Sequence, residues 1–392
     1  MMLFELLPLF LQINALWIVL ILVSILVISL IFNFILFKWR SSVLRIYSGK
    51  KRRVDRHLTY PRQYPCSWYR ICDSDEVNKG QVKHICALGQ EMVAFRGEDG
   101  VACVLDAFCI HMGANLGYGG TVVGNCIQCP FHLWEFGTNG VCTKIPYSDK
   151  IPPNANIFAY PCVEKYGMIM IWYHPNREPP HYDAISVNDI DDNTNTFVAR
   201  GKYKYPNIKM HLQEFAENSA DSQHFGPLHG TMIIPWTEIL IPFIKIDHTA
   251  SFALGYEKHI AYFYDTAMLK IFGEKYPKTK VDASIKFYGP GGITLFQFDG
   301  EFGRLYLFHC HTPTDYTCLD VEFLAFIEKK IPRLLSWYII GNWIAQWKRD
   351  IVVWENKVYK RAPFLVKTDG PIMKMRRWYK EFYVQKEEAF DW

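Results

Sequence analysis

The chain has 392 residues, half of them apolar and 21% charged, which excludes a disordered chain and gives room for about two or three domains. The net charge of +4 is unevenly placed: residues 1–57 hold eight basic side chains against Glu5 and Asp55, and the remainder holds 35 basic and 37 acidic. That near-neutral body lacks the basic face that nucleic-acid binding needs, so no nucleic-acid partner is expected.

Residues 6–37 contain no charged side chain and are dense in Leu, Ile, Val and Phe. About 20 such residues span a bilayer core. Basic residues follow the run at 38–56, whereas a cleavable signal would carry them before a shorter core. The positive-inside rule then predicts a single-pass anchor with residues 38–392 on the cytosolic side, and the basic segment close to anionic lipid. Residues 92–95, 101–105 and 168–173 are short β-branched or apolar runs among turns, which predict a small antiparallel-β domain over 58–175. The polar stretch 175–200 reads as a linker. A helix is predicted over 208–225, stopped by Gly226 and Pro227, and alternating segments at 284–288, 293–298 and 305–310 predict a second antiparallel sheet. Pro332 opens a helical run to about Lys357, whose uncharged core is too short to span a membrane. The expected fold is α+β: a transmembrane helix in 1–57, a small antiparallel-β domain in 58–175, and a larger domain in 200–392 with an antiparallel sheet and flanking helices.

Eleven cysteines, an odd number scattered through a cytosolic body, do not make a disulfide framework, so those at special spacing read as metal ligands. Cys109-x-His111 and Cys129-x-x-His132 are two hooks, each mixing a thiol with an imidazole. Zinc accepts two cysteines and two histidines, but zinc fingers generally pair like with like. Mixed hooks fit a Rieske 2Fe–2S cluster, in which thiolates hold one iron and imidazoles the other. The segment CIHMGANLGYGGTVVGNCIQCPFH resembles the Rieske domains of ring-hydroxylating and related oxygenases. Rieske proteins of respiratory complexes add two cysteines beside the cluster; Ala114 and Phe131 here depart from that type. Trp68 and Tyr69 resemble the start of such a domain and are expected to pack beneath it.

In HLQEFAENSADSQHFGPLHG, His211, Glu214, Asn218, Asp221 and His224 recur every three or four residues. Such a stripe alone reads as a solvated helix face. What changes the reading is His229, just past the Gly226-Pro227 break, because two histidines and a carboxylate form the facial triad of non-haem Fe(II) oxygenases. The spacing Asp-x-x-His-x-x-x-x-His is similar to the mononuclear-iron motif of the same Rieske oxygenase family. That resemblance implies that His224 and His229 are iron ligands and that Asp221 is an electron-transfer bridge. The bridge would run from His132 of one subunit to His224 of the next, within a homotrimer. The third ligand must be a distant carboxylate. Asp299, Glu301, Asp315, Asp320, Glu322, Glu328, Asp350 and Glu355 are available. Asp350 is preferred, because Trp343, Trp347 and Trp354 supply an apolar setting and KRDIVVWENK resembles the family's late segment. Glu355 is the reserve, and the plain alternative for Asp350 is an exposed partner of Lys348 or Arg349.

His309 and His311 share one face of a strand-like run and read as a histidine pair with ordinary partners; His211 and Glu214 are expected as outer contacts of the iron ligands. No dinucleotide fingerprint is present, so NAD(P)H-derived electrons must arrive through a separate reductase, with O2 as co-substrate. With its anchor, the chain resembles the cholesterol 7-desaturases of the Neverland type. This implies 7,8-desaturation of cholesterol to 7-dehydrocholesterol for steroid hormone synthesis, at the endoplasmic reticulum. The alternatives are another lipid-substrate Rieske oxygenase (sterol side-chain dealkylation or chlorophyll-type hydroxylation) and an anchored electron carrier without catalytic iron.

Overall fold

Short strands joined by glycine-bearing turns build the first part of the chain. Val82–Ala87, Gln90–Arg96 and Ala102–Asp106 form one antiparallel sheet. Thr121–Val123, Cys126–Gln128, Glu135–Phe136 and Cys142–Lys144 form a second. In a third, Ser67–Asp73 pairs with Met168–Tyr173, which pairs with Cys162–Lys165, so the two ends of the segment are fastened together. The computed structural model describes residues 60–192 and 194–384. The expected anchor at 6–37 and the basic stretch at 38–56 lie outside the described residues, among which no helix is long and apolar enough to cross a membrane.

Strands Ser67–Asp73 and Met168–Tyr173 are buried along their whole length, which requires cover on both faces. One cover is the large sheet of the second part. It runs Phe197–Ile208, Cys318–Glu328, Gly303–Asp315, Ile293–Gly300, Val281–Tyr288, Ile260–Ile271, Leu240–Leu254, Thr231–Ile233, antiparallel throughout. Side chains alternate across it. On Gly303–Asp315, Tyr306, Phe308 and Cys310 pack with Trp68, Met170 and Trp172, while Leu305 and Leu307 join the core on the other side. Trp68 is therefore a wedge between the two parts rather than a floor under the cluster loops. The helix Arg333–Trp354 covers the second face, with the Trp343 ring 4.8 Å from Phe296 and 5.3 Å from Phe298.

Two expectations need correction. Residues 175–200 are mostly exposed, as a linker is, but the segment is pinned to the body at several points rather than free. Tyr182 stacks on His259 at 4.1 Å, its carbonyl accepts from Trp68 Nε1, and Asp189 in the short helix Asn188–Asp191 pairs with Arg304. A few of its residues thus bridge to the body while most of its polar side chains still meet water. The helix expected over 208–225 is much shorter, Leu212–Asn218. The preceding strand continues to Ile208 through Asn207 at φ 60°, and the Ser219 hydroxyl then turns back onto the Ala216 carbonyl. Next, Asp221 Oδ1 accepts from the Gln223 and His224 amides, so side chains compete with the helical hydrogen bonds where the periodicity suggested continuation.

Candidate active site and metal centres

The two mixed hooks adopt one backbone conformation twice. The Cys109 carbonyl accepts from Gly113 N and its amide donates to Ala114 O; Cys129 does the same with Leu133 and Trp134. The residue four after each cysteine is left-handed, at φ 73° for Gly113 and 59° for Leu133, a conformation that costs a side-chain-bearing residue energy. The turns bring the His111 and His132 rings to 4.6 Å, with His111 stacked on Trp134. Cys109 and Cys129 are buried. His111 Nδ1 and His132 Nδ1 are also buried and have no hydrogen-bond partner among the described residues. Burial pushes the Cys109 thiol up to about 11. A thiolate there needs a cation opposite it, and unpartnered imidazole nitrogens need one as well, so the four donors fit a 2Fe–2S cluster.

The second set lies between the turn after Asn218 and the late helix. One ligand atom each from His224, His229 and Asp350 falls within 4.8 Å of the others. The Asp221 carbonyl holds His224 Nδ1, leaving Nε2 free to ligate. Gln346 Oε1 faces His229 Nδ1 at 3.4 Å, and its amide nitrogen is fixed on the Thr231 carbonyl. With the proton on Nδ1, His229 Nε2 presents a lone pair to Asp350 Oδ1 at 3.2 Å, which itself receives no donor among the described residues. Two acceptors face to face are stable only with a cation between or beside them, so this set fits a mononuclear metal. Burial lowers the His224 pKa against the pull of Asp350, which favours the neutral ring a metal requires.

Most of the other candidate carboxylates are engaged elsewhere. Asp299 pairs with Arg304, Glu322 with Arg70, and Asp320 accepts from the Asn207 amide. Glu355, the reserve, holds the Lys209 amide. Asp350 is 6% exposed and not a surface partner of its neighbours: Lys348 lies over the Tyr205 ring and Arg349 donates to the Leu228 carbonyl. His211 and Glu214 are buried, but on another network, in which Glu214 meets Tyr60 and Lys357 and His211 stacks on Tyr60. The Asp221 carboxylate mainly caps its own turn, with Oδ2 4.0 Å from His224 Nδ1. Gln346 was missed in the sequence although it stands one helical turn before Asp350, on the same face.

A cavity of about 400 Å³ opens on this set. The sheet face supplies Phe263, Ile285 and Phe296, the helix supplies Ile339 and Trp343, and Phe225 leans in beside His224. Its size lies within the range of small-molecule sites and its walls are overwhelmingly apolar.

An iron–sulfur domain fastened to an antiparallel sheet and a helix, with a 2-His-1-carboxylate set at an apolar cavity, defines the oxygenase component of a Rieske system. Comparison with known proteins agrees. Residues 67–162 match the Rieske [2Fe-2S] domain and residues 171–383 the 3-ketosteroid 9alpha-hydroxylase C-terminal domain. A cholesterol 7-desaturase of Xenopus laevis is 32% identical over 88% of this chain and 78% of its own length, and that of Drosophila melanogaster 32% over 87% and 80%. The oxygenase component of a Rhodococcus rhodochrous 3-ketosteroid-9-alpha-monooxygenase is 28% identical over 84% and 82%. Dicamba monooxygenase bound to dicamba shares the fold, with a TM-score of 0.60 at 18% identity over 83% of this chain and 98% of that one. The chain belongs to the Rieske-type non-haem iron oxygenases, in the family whose curated members are named cholesterol 7-desaturase. Its cofactors are a Rieske 2Fe–2S cluster and a mononuclear non-haem iron, with O2 and electrons from a separate reductase as co-substrates.

Proposed function

We propose that this oxygenase desaturates a sterol, namely cholesterol at the 7,8 position to give 7-dehydrocholesterol, as one step of steroid hormone synthesis. The carrying observation is the apolar cavity that ends on His224, His229 and Asp350, in a chain whose relatives are named for that reaction. In this reading Cys109, His111, Cys129 and His132 hold the cluster, and His224, His229 and Asp350 hold the mononuclear iron. When bound, the cluster supplies single electrons and the mononuclear iron supplies oxygen activation.

The protein's part is positional. The Asp221 carbonyl and Gln346 fix the protonated nitrogens of His224 and His229, so that both rings offer Nε2 to one point. Phe225, Phe296 and Trp343 keep water from the reacting face and orient the sterol skeleton by shape. Asp221 links His132 of one subunit to His224 of the next in a homotrimer. The hook tips support this by presenting Ile110, Met112, Phe131 and Leu133 to solvent as one apolar face for a second copy. The uncharged run at 6–37 with its basic flank anchors the chain by one span, with the catalytic part facing the cytosol at the endoplasmic reticulum, where a lipid-partitioned substrate is concentrated. The match to a 3-ketosteroid 9alpha-hydroxylase domain favours a second reading, hydroxylation of a steroid ring.

Purified full-chain protein is expected to hold about three irons and two acid-labile sulfides. Cells expressing it and fed cholesterol are expected to yield a product lighter by two hydrogens. Zinc in place of iron would overturn the cofactor assignment, and a product carrying added oxygen would replace desaturation with the second reading.

A further inference from the structure

Most polar side chains in the cavity wall are already engaged. Thr279 bonds the Tyr276 carbonyl, Asn342 the Ile233 carbonyl, and Gln346 serves His229. His248 and Asp265, on adjacent strands Leu240–Leu254 and Ile260–Ile271, are different. His248 Nδ1 lies 2.7 Å from Asp265 Oδ2, and both side chains are largely buried. Yet His248 Nε2 and Asp265 Oδ1 are buried with no hydrogen-bond partner among the described residues. The carboxylate only accepts, so the Nδ1 proton is donated to it, and in that tautomer Nε2 is a bare lone pair. The pair thus presents two acceptors and no donor at an apolar cavity, an arrangement that is costly unless a ligand completes it.

The side chains directly opposite the pair are small. The cross-strand neighbours are alanines, Ala267 opposite His248 and Ala250 and Ala283 opposite Asp265. The pair is also close to the metal-ligand set: the Phe225 ring lies 4.9 Å from His248 and 5.3 Å from His229. A single aromatic ring therefore separates the polar pair from the reacting point. In a sterol, the hydroxyl-bearing ring is fused directly to the ring that would be desaturated, so the two groups are similarly close.

We infer that His248 and Asp265 form a subsite that accepts a hydrogen bond from a substrate hydroxyl, and that this subsite selects a 3-hydroxysterol over the corresponding 3-ketone. The inference rests on the sterol reading above and sharpens it, since relatives are named for both substrate types. A ketone has no proton to donate and would set its oxygen against two acceptors. The N–H groups of Trp343 and Trp347 in the wall, which have no partner among the described residues, are donors and would serve a ketone elsewhere.

The test uses full-chain holoenzyme with a reductase, and compares equilibrium binding and turnover of cholesterol and its 3-ketone. The unmodified enzyme should bind the alcohol at least about tenfold more tightly. Replacing the pair together, His248→Phe with Asp265→Leu, avoids stranding a buried charge. It should raise Kd and KM for the alcohol about tenfold, leave kcat and ketone binding nearly unchanged, and preserve the Rieske visible spectrum. Asp265→Asn, which introduces a donor at nearly constant size, should shift preference toward the ketone. Equal binding of alcohol and ketone by the unmodified enzyme overturns the subsite, as does a double variant that loses kcat at unchanged KM. Tight alcohol binding without turnover leaves the subsite standing and refutes the desaturation; binding of neither steroid refutes both.

Discussion

Acid is expected to weaken this fold, and His309 offers the cleanest measure of why. His211, His309 and His311 are fully buried. His311 donates from Nδ1 to the Gly291 carbonyl, His211 Nδ1 accepts from Gln213 N, and neither ring nitrogen of His309 has a partner among the described residues. Burial drives all three down, His211 and His311 to about 3 and His309 well below its ordinary value. In the unfolded chain each takes a proton near pH 6.5, while in the native state each stays neutral. Below that pH the unfolded state binds more protons, so stability is complete above about 6.5 and is lost as pH falls toward 3. Between pH 7.5 and 5.5 each group removes about 1.4 kcal/mol and the three together about 4 kcal/mol, a large part of a typical folding free energy. Glu322 opposes them: burial raises it to about 7, so over the same interval the native state holds its proton more firmly. Glu214, also raised by burial, acts with Glu322, whereas His174 and His259, lowered by burial, add to the loss.

Comparing His309→Phe with the parent cancels every other titration. Phe fits an aromatic nest in which Phe323 and Phe215 lie 4.2 and 4.6 Å from the ring, and it removes two unsatisfied nitrogens. The variant should be more stable at pH 7.5 by about 1–3 kcal/mol. Its advantage should grow by about 1.4 kcal/mol on going to pH 5.5, read from urea midpoints at a constant m-value. An advantage that does not change with pH would mean that His309 is not held neutral, and the argument from burial would fail.

The metal-centre assignments carry their own tests. Asp350→Ala is expected to lower iron from about three to about two per chain while leaving the Rieske spectrum unchanged; retained iron and activity would assign the third ligand elsewhere. Gln346→Leu should weaken mononuclear-iron binding by about 10- to 100-fold in a chelator competition, and unchanged affinity would show that His229 is oriented without it. Asp221→Asn keeps the acceptor that caps the turn and removes the charge, so turnover should fall by roughly tenfold or more with the cluster spectrum intact. Full activity in that variant would refute the bridging role.

What could be read from the sequence divides along the distance over which the physics acts. Each cluster hook is closed by hydrogen bonds within five residues, so Cys109, His111, Cys129 and His132 declare themselves by spacing. His224 and His229 are also local, five residues apart around a Gly-Pro break. Asp350 is remote, and only its three tryptophan neighbours and the resemblance of KRDIVVWENK to the family's late segment marked it. Gln346 was legible in principle, one helical turn from Asp350. By contrast, His248 and Asp265 meet because strand register sets them side by side on neighbouring strands, and register depends on the turn between the strands as well as on their alternation.

The misread helix shows the opposite failure. A repeat of three and four residues is satisfied equally by a helix and by a short helix followed by capped turns. Ser219 and Asp221 decide for the second by bonding the backbone themselves. That ending is what turns the His224 and His229 rings nearly perpendicular to one another, with centroids 5.1 Å apart. A continuous helix would keep the chain in one register past Ser219, where instead the Asp221 carbonyl is freed to hold His224. The place where the periodicity misleads is therefore the place where the chain leaves regular structure to build its metal centre.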